Sequence, residues 1–349
     1  MTSFWTMGHK LSAGGASALF AAAALALAAP ANADDVASFY AGKTITMTVG
    51  FGAGGGYDNV GRAVAQFIGK HIPGHPNVIV ENMPGGGGIK AANWIYRQAP
   101  RDGTQIGVIN QSAGLNQQLG FKAIKYDAAK FNYIGRVQIG YSQVITWHSS
   151  GIKTVDDARK HSVPLSATGA MGNMAVVPRI LNRAVKTKFK IISGYKRARQ
   201  AWLAMERGET KASGTSLGSL LTQTPTWLPE HKVYVIAQLG PDRPAAIPNA
   251  PLVQELATND LDRKALNLFS TAASVGFGVM APPGVPQARV TALRRAFDAT
   301  LKDPEFQTLA KKTHMYLNPL SGEKVQKLVG GIMHAPKDVV ARARQLGLP

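Results

Sequence analysis

The sequence predicts an α/β fold, and three of its features support that prediction. Strand and helix patterns alternate over an early part of the chain, from residue 44 to residue 109. Two glycine-rich stretches, residues 50–56 and 84–88, each follow a strand pattern and precede a helix pattern. The chain has 349 residues, which is enough for two domains that each bury a core. This β-loop-α-β order implies a sheet whose neighbouring strands are parallel.

The first strand and helix have the clearest patterns. Residues 44–49 alternate between apolar and polar side chains, which is typical of a strand. After the first glycine stretch, apolar residues recur from Val60 at the spacing of one helical face, which predicts a helix ending near His71. Asp58 or Asn59 is expected to cap that helix at its N-terminus.

The later elements are predicted by the same reasoning. A second strand is expected over 78–80, a helix up to about residue 98 and a third strand over 106–109. The remaining predictions are strands over 142–147, 233–238 and 277–280, helices over 197–207 and 286–301, and a helical C-terminal tail. Four prolines between residues 241 and 251 predict a loop and a crossover.

The N-terminal segment has the pattern of an export signal. Lys10 precedes an uncharged stretch rich in alanine and leucine, residues 11–33, which ends in an A-x-A cleavage pattern before Asp34. A signal peptide over 1–33, cleaved near Ala33, predicts a soluble periplasmic product. An uncleaved membrane anchor is the alternative, but glycines and a proline interrupt the stretch.

The composition narrows the possible functions. Lys and Arg number 39 and Asp and Glu number 20, a net charge of +19, which favours anionic partners. The absence of cysteine excludes disulfides, thiolate metal sites, iron–sulfur clusters and cysteine nucleophiles. No metal pair is predicted from His71 and His75, because Pro73 separates them. Basic clusters at 186–190 and 196–199 are interpreted as solvent-exposed faces, since export removes the usual nucleic-acid partner.

The two glycine stretches predict an anion site. In a parallel sheet both fall at the carboxyl ends of neighbouring strands, where helix N-termini present free N–H groups and partial positive charge. Glycine lets a ligand approach the backbone closely. A small anion such as a carboxylate fits this arrangement without a charged side chain. Two tight turns that require positive φ are the alternative interpretation.

Nucleotide-binding motifs are only partly matched. Residues 50–55 formally match G-x-G-x-x-G, the dinucleotide fingerprint, with Glu81 as the candidate ribose ligand. Glu81 lies 26 residues beyond Gly55, farther than the usual spacing of about 20, and export in an unfolded state argues against a preloaded cofactor. The second stretch does not match a P-loop, because Lys90 is followed by Ala91 rather than Ser or Thr.

A serine hydrolase motif is a further alternative. Residues 214–218 match G-x-S-x-G, which would make Ser216 the nucleophile. Candidate acids and bases in the order of α/β-hydrolases are Asp242, Asp260, His314 and His334. The preceding residues 210–213 are poor in apolar side chains, so a buried central strand is not expected there.

Four motifs in order resemble those of the periplasmic receptors of tripartite tricarboxylate transporters, also called Bug receptors. They are residues 51–58 (FGAGGGYD), 80–88 (VENMPGGGG), 99–104 (APRDGT) and 280–286 (MAPPGVP), the last followed by 303–305 (DPE). The spacing agrees from about residue 38 to residue 329. The resemblance implies a two-lobe α/β structure of the type II periplasmic binding-protein fold, with the ligand cleft between the lobes.

The resemblance also implies a domain division and a ligand site. Residues 34–137 and 251–349 would form the first α/β lobe and residues 138–250 the second. A ligand carboxylate would be held by the backbone of the two glycine loops. The implied ligand-binding residues are Phe51, Gly52, Ala53, Gly54, Gly55, Tyr57, Asp58, Pro84, Gly85, Gly86, Gly87, Gln111 and Ser112 in the first lobe and Thr168, Gly169, Ala170, Asn173, Thr215 and Ser216 in the second.

The function implied is that of a binding protein and not an enzyme. The receptor would capture a small carboxylate and deliver it to integral-membrane subunits of a tripartite transporter, as a monomer without cofactor, metal or nucleic acid. The alternatives are an exported α/β serine hydrolase using Ser216 and a ligand-sensing receptor for a membrane kinase. Lys211 stands where the family usually has Asp, and we expect its side chain to face solvent rather than a second anionic group of the ligand.

Overall fold

The computed structural model describes residues 1–5 and 31–349, and residues 31–349 form two α/β lobes. The predicted signal peptide lies almost wholly outside the described residues. In chain order the strands are β1 (Thr44–Val49), β2 (Asn77–Asn82), β3 (Gln105–Val108), β4 (Asn132–Gln138), β5 (Ser142–Trp147), β6 (Val163–Ala167), β7 (Phe189–Ser193), β8 (Ala212–Ser216), β9 (Val233–Leu239), β10 (Phe277–Ala281) and β11 (Leu320–Ser321). The helices are α1 (Ala31–Tyr40), α2 (Gly56–Ile68), α3 (Ile89–Arg97), α4 (Ala113–Gln118), α5 (Val155–Lys160), α6 (Asn173–Ala184), α7 (Ala198–Glu206), α8 (Leu217–Gln223), α9 (Asp260–Val275), α10 (Gln287–Lys302), α11 (Pro304–Lys312), α12 (Gly322–Met333) and α13 (Lys337–Gly347).

The first lobe is built on a six-stranded sheet with the order β11-β4-β10-β3-β1-β2. Strands β2, β1 and β3 are parallel neighbours, as the β-loop-α-β order predicts. Strand β10 runs antiparallel between β3 and β4, so the sheet is mixed and not parallel throughout. The three parallel strands bring both glycine loops to one edge of this sheet.

The second lobe repeats this plan in a five-stranded sheet with the order β7-β6-β8-β5-β9. Strands β7, β6 and β8 are parallel, and β5 runs antiparallel between β8 and β9. Strands β10 and β5 are each the first strand of their sheet, in chain order, after the chain crosses from the other lobe. The carboxyl ends of the parallel strands in both sheets can therefore face a common cleft.

Helix α2 has the apolar face that its periodicity predicts, but it begins earlier than expected. Val60, Val64 and Ile68 on that face are buried in the first-lobe core. The N-cap is Gly55, not Asp58 or Asn59, and Asp58 lies in the first turn. The expectation failed because the Asp58 side chain bonds back to the glycine loop instead of capping the helix.

Helix α13 packs against both lobes. It contacts α9 and also α6 of the second lobe. Arg179 Nη1 on α6 donates to Gly347 O at 2.9 Å, and Arg183 Nη1 donates to Gln345 O at 2.8 Å. The assignment of residues 251–349 to the first lobe therefore stays a prediction. No helix among the described residues combines the length and the apolar character that crossing a bilayer requires.

Gly214 allows the middle strand of the second sheet to pack closely against the first turn of α6. A Cβ atom at this position would lie 2.4 Å from Met174 Cα, a backbone atom that a rotamer change cannot move. We expect Gly214→Ala to lower the free energy of unfolding by about 2–3 kcal/mol through overpacking, measured by urea denaturation. The control is Gly331→Ala, where no atom lies within 4 Å, and which should raise stability by about 0.5–1 kcal/mol in the exposed turn of α12. Equal stability of the two variants would contradict the close packing.

Candidate functional site

A cavity of about 380 Å³ lies between the lobes and receives residues from both sheets. This volume is within the range of about 300–1,000 Å³ that small-molecule sites occupy. Its first-lobe wall consists of Phe51, Gly52, Ala53, Gly54, Gly55, Gly56, Tyr57, Asn110, Gln111 and Phe277. Its second-lobe wall consists of Ser142, Thr168, Gly172, Asn173, Met174, Lys196, Arg197, Ala198, Arg199, Trp202, Thr215, Ser216, Ser219 and Gln223.

Asp58, which does not line the cavity, holds the first glycine loop in place through hydrogen bonds. Asp58 Oδ2 accepts a hydrogen bond from Gly54 N at 2.8 Å and one from Arg62 Nε at 2.9 Å. Asn82 Nδ2 donates to Asp58 Oδ1 at 2.7 Å and to Phe51 O at 2.9 Å. The loop is thus fixed at both ends by side chains that do not line the cavity.

The electrostatics of Asp58 follow from these contacts. Burial of the carboxyl group would raise its pKa, since the side chain is only 2% exposed. The hydrogen bonds from Arg62, Gly54 and Asn82 outweigh burial and lower the pKa below its usual value. Asp58 is therefore an ionised support of the loop, and a direct contact between Asp58 and the ligand stays a prediction.

A stack of aromatic rings forms part of the first-lobe wall. The Phe51 and Tyr57 rings are stacked with centroids 4.2 Å apart, and the Tyr57 and Phe277 centroids are 4.1 Å apart. Tyr57 Oη accepts from Gln111 N at 3.3 Å, and burial raises the pKa of Tyr57. The phenol is thus neutral, and this wall is apolar next to the glycine loop.

The second glycine loop does not line the cavity. Its glycines 85 to 88 all have positive φ, between 57° and 148°, which L side chains rarely adopt. Asn110 Nδ2 donates to Gly87 O at 3.0 Å, and a Cβ on Gly87 would lie 3.8 Å from Met171 O of the second lobe. This loop therefore supports Asn110 and faces the second lobe outside the cavity.

Helix N-termini from both lobes converge on the cavity. The N-caps of α2, α6 and α7 are Gly55, Gly172 and Arg197, and none of the three helices has a side-chain cap hydrogen bond. The N-cap residue of each lines the cavity. Uncapped first turns carry N–H groups without intrahelical partners and a partial positive charge. The site therefore presents backbone donors to an anion from both sides.

Ser216 is the N-cap of α8. Ser216 Oγ accepts from Ser219 N at 3.1 Å and lies 2.9 Å from Ser219 Oγ. Among the described residues these are the partners of the hydroxyl, and no histidine is one of them. The expectation that residues before Ser216 do not form a central strand is wrong, because β8 is the middle strand of its sheet. Its small polar residues bond within the lobe, as Ser213 Oγ does to Ser166 O at 3.0 Å.

The cationic residues on the cavity wall belong to the basic cluster 196–199, which the sequence analysis interpreted as a solvent-exposed face. Lys196, Arg197 and Arg199 line the second-lobe wall, although their side chains are also exposed at its rim. The interpretation of 196–199 as a solvent-exposed face agrees with the exposure of these three cations, and the structure adds that they also line the cavity. Lys211 is exposed and does not line the cavity, as expected. No local pattern separates these two cases, because it is the packing of distant segments that decides which exposed cation lines the cavity.

The structure brings together a large part of the predicted ligand site. The predicted residues on the cavity wall are Phe51, Gly52, Ala53, Gly54, Gly55, Tyr57, Gln111, Thr168, Asn173, Thr215 and Ser216. Those that do not line it are Asp58, Pro84, Gly85, Gly86, Gly87, Ser112, Gly169 and Ala170. The wall residues that sequence reasoning missed include Trp202, Met174 and Phe277, whose apolar side chains have no motif that distinguishes them from core residues. Ligand contact by any of these residues stays a prediction.

Comparisons with known proteins agree with this architecture. The sequence model described as the tripartite tricarboxylate transporter family receptor matches residues 60–343. A relative from Cupriavidus necator, named the UPF0065 protein in gbd 5'region, is 28% identical over 305 residues, which is 83% of this chain and 84% of that protein.

Two solved structures are similar in fold. The periplasmic binding protein BugD is 22% identical, with a TM-score of 0.68 over 88% of this chain and 99% of that one. MatC of Rhodopseudomonas palustris, solved with bound malate, is 20% identical, with a TM-score of 0.65 over 85% of this chain and 99% of that one. Both have the two-lobe architecture of periplasmic binding proteins. The chain therefore belongs to the tripartite tricarboxylate transporter receptor family, whose members are periplasmic solute-binding proteins.

Proposed function

We propose that this protein captures a small carboxylate in the interlobe cavity and delivers it to a membrane transporter of the tripartite tricarboxylate type. The observation that carries this proposal is the convergence of three uncapped helix N-termini, α2, α6 and α7, on one cavity. Among the described residues on the wall, three are cationic and none is acidic. A carboxylate satisfies the free N–H groups and offsets the positive charge.

The proposed mechanism is capture followed by closure. The ligand carboxylate docks on the backbone of residues 52–57, which Asp58 and Asn82 hold in position. The second lobe then closes over it about the segments that follow β4 and β9. A Cβ on Gly56 would lie 3.2 Å from Ser219 Oγ, so the lobes approach closely at this point. The malate bound to MatC supports an organic acid as the ligand class.

The carboxylate proposal predicts selectivity for an acid over its amide. In a thermal-shift screen, an organic acid that binds the site should raise Tm with increasing concentration. At a ligand concentration of 100 times Kd, binding should add about 2.7 kcal/mol to the free energy of unfolding. The matched primary amide keeps the shape and loses the charge, so it should leave Tm unchanged. Equal shifts with an acid and its amide would contradict an anion site.

Delivery needs a separate experiment. Membrane vesicles that contain the transporter subunits should accumulate the radiolabelled acid only when the purified protein is added. Binding without stimulated uptake would retain the binding function and remove the delivery step.

A further inference from the structure

A second concave surface lies on the second lobe, outside the interlobe cavity. It is a groove of about 600 Å³, lined by residues from the end of β7 and from α7. Ile192 on β7 and Leu203 on α7 belong to its apolar part. The Ile192 residue is 45% exposed, so the groove leaves a large apolar side chain open to solvent beside the edge of the sheet.

Strand β7 borders this groove and is the outermost strand of the second sheet. Among the described residues its neighbouring strand is β6, to which it runs parallel. Lys188 O accepts a hydrogen bond from Val163 N at 3.0 Å. Gly194 N donates to Thr168 O at 3.0 Å. The even-numbered residues of this segment therefore face β6, and the odd-numbered ones direct their N–H and C=O groups outward.

The outward backbone groups of β7 are satisfied at one end of the strand and open at the other. Phe189 N donates to Asn182 Oδ1 at 2.9 Å, and Asn182 Nδ2 donates to Phe189 O at 2.8 Å. Outside the β6–β7 ladder, the backbone groups of Ile191 and Ser193 have no partner among residues 31–349. An edge of this kind is a template for a further strand.

The surface around this open edge is positively charged. Lys196 and Arg207 line the groove, and Lys190 lies two residues before Ile192, which puts both on one face of β7. These three cations take part in none of the ion pairs formed among residues 31–349. Glu209 is the one acid among the described residues that line the groove. The complementary partner is therefore acidic.

We propose that an extended acidic segment of the membrane transporter adds to the outer edge of β7 and lies in this groove. This inference rests on the proposed function and names its docking surface. The open backbone groups pair with the segment, the cations bind its acidic side chains, and Ile192 contacts an apolar side chain between them. Lys196 lines both the groove and the interlobe cavity, so a segment docked here lies beside the ligand.

Charge also decides against a second copy of this chain as the occupant. Two copies paired through β7 would bring the same cations together, in a protein whose net charge is +19. Like charges that face each other across an interface cost several kcal/mol.

Site-specific cross-linking tests the contact directly. The purified protein with benzoylphenylalanine at position 192 is illuminated with membrane vesicles that contain the transporter subunits. It should cross-link to an acidic segment of one subunit. The matched control is position 261 on α9, because Leu261 is 40% exposed, close to the value for Ile192, and this position should give no such product.

A pair of variants at Ser193 tests the backbone pairing. Ser193→Pro removes the outward N–H group, whereas Ser193→Ala retains it. Affinity for the vesicles should fall about tenfold in Ser193→Pro and stay at the wild-type value in Ser193→Ala. Both variants should keep the wild-type thermal shift with the acid found in the screen, because Ser193 does not line the interlobe cavity.

A second pair of variants tests the charge. Lys190→Glu combined with Arg207→Glu should lower the affinity for the vesicles at least about tenfold, and the difference should shrink at high salt. Lys324→Glu combined with Lys327→Glu makes the same change of charge at exposed positions of α12 and should retain the affinity.

Two results would overturn this docking surface while leaving capture and delivery intact. They are equal vesicle binding by Ser193→Pro and Ser193→Ala, and uptake stimulated by a protein that forms no cross-link from position 192. The lysines of β7 would then serve to keep other strands away from the edge. A wild-type protein that binds the acid without stimulating uptake would remove both delivery and this surface and leave capture standing.

Discussion

Gly55→Asp should abolish carboxylate binding while leaving the protein folded. Gly55 lies at the N-cap of α2 with φ −85° and ψ 169°, a conformation that aspartate adopts at helix starts. Its Cβ would have space, since the nearest atom is Gly52 O at 3.5 Å. The new carboxylate would cap the free N–H groups and place a negative charge where the ligand carboxylate docks. We expect affinity to fall at least about 100-fold, because like charges in contact cost several kcal/mol.

For Gly55→Asp the free energy of unfolding should rise while the affinity for the carboxylate falls. Aspartate is a better N-cap than glycine, so the free energy of unfolding should rise by about 0.3 kcal/mol. The matched control is Gly55→Asn, which caps the helix without a charge and should lose about tenfold in affinity through competition for the same N–H groups. Calorimetric titration and urea unfolding measure the two quantities. Normal binding by Gly55→Asp would show that the ligand does not use the start of α2.

Asp58→Asn should weaken both the fold and the site. The buried carboxylate accepts hydrogen bonds from Gly54 N, Arg62 and Asn82. In asparagine an NH2 group replaces one carboxylate oxygen, so at least one of these donors would lose its acceptor and face another donor. We expect the free energy of unfolding at pH 7 to fall by about 2–3 kcal/mol. Affinity for the acid should fall about tenfold, because the loop loses its fixed position.

The pH dependence of this loss follows from the pKa of Asp58. Because the pKa is lowered on folding, the carboxylate contributes its full stability above the unfolded value of about 4. That contribution is lost as pH falls through the folded-state pKa. The stability difference between the wild type and Asp58→Asn should therefore be largest near neutral pH and shrink in acid.

Asp156→Asn is the matched control for this pH experiment. Asp156 pairs with Arg159 at 2.6 Å on an exposed turn, where its side chain is 68% exposed. Its replacement should change stability by no more than about 0.5 kcal/mol at any pH. A difference between the wild type and Asp58→Asn that does not depend on pH would show that the Asp58 charge does not support the loop.

Local sequence patterns predicted some strands of the two sheets and not others. Strands β1 and β3 and helix α2 carry strong periodicity, and the structure confirms them. Strands β4, β6, β7, β8 and β11 were not predicted. Strand β8 has the sequence ASGTS, whose small polar residues are buried and bond to neighbouring strands. Tertiary contacts supplied the stability that the sequence of this strand lacks by itself.

The two glycine loops have similar sequences and different positions. Both follow parallel strands and precede helices, as predicted. Only the first lines the cavity, whereas the second supports Asn110 and faces Met171. Sequence could not separate them, because the distinction depends on how the second lobe packs over the two loops.

The sequence by itself determined the α/β class, the strand–glycine loop–helix units and the family, because these depend on short-range periodicity and on motifs within a few residues. The tertiary structure alone decided how the second-lobe wall is assembled. Its residues extend from Ser142 to Gln223 and meet because β8 and β5 lie side by side at the middle of their sheet. Lys196 and Arg197 line the cavity from the segment that leads into α7. Which charged residues line the cavity depends on how distant segments of the chain pack together, and no local sequence pattern encodes that packing.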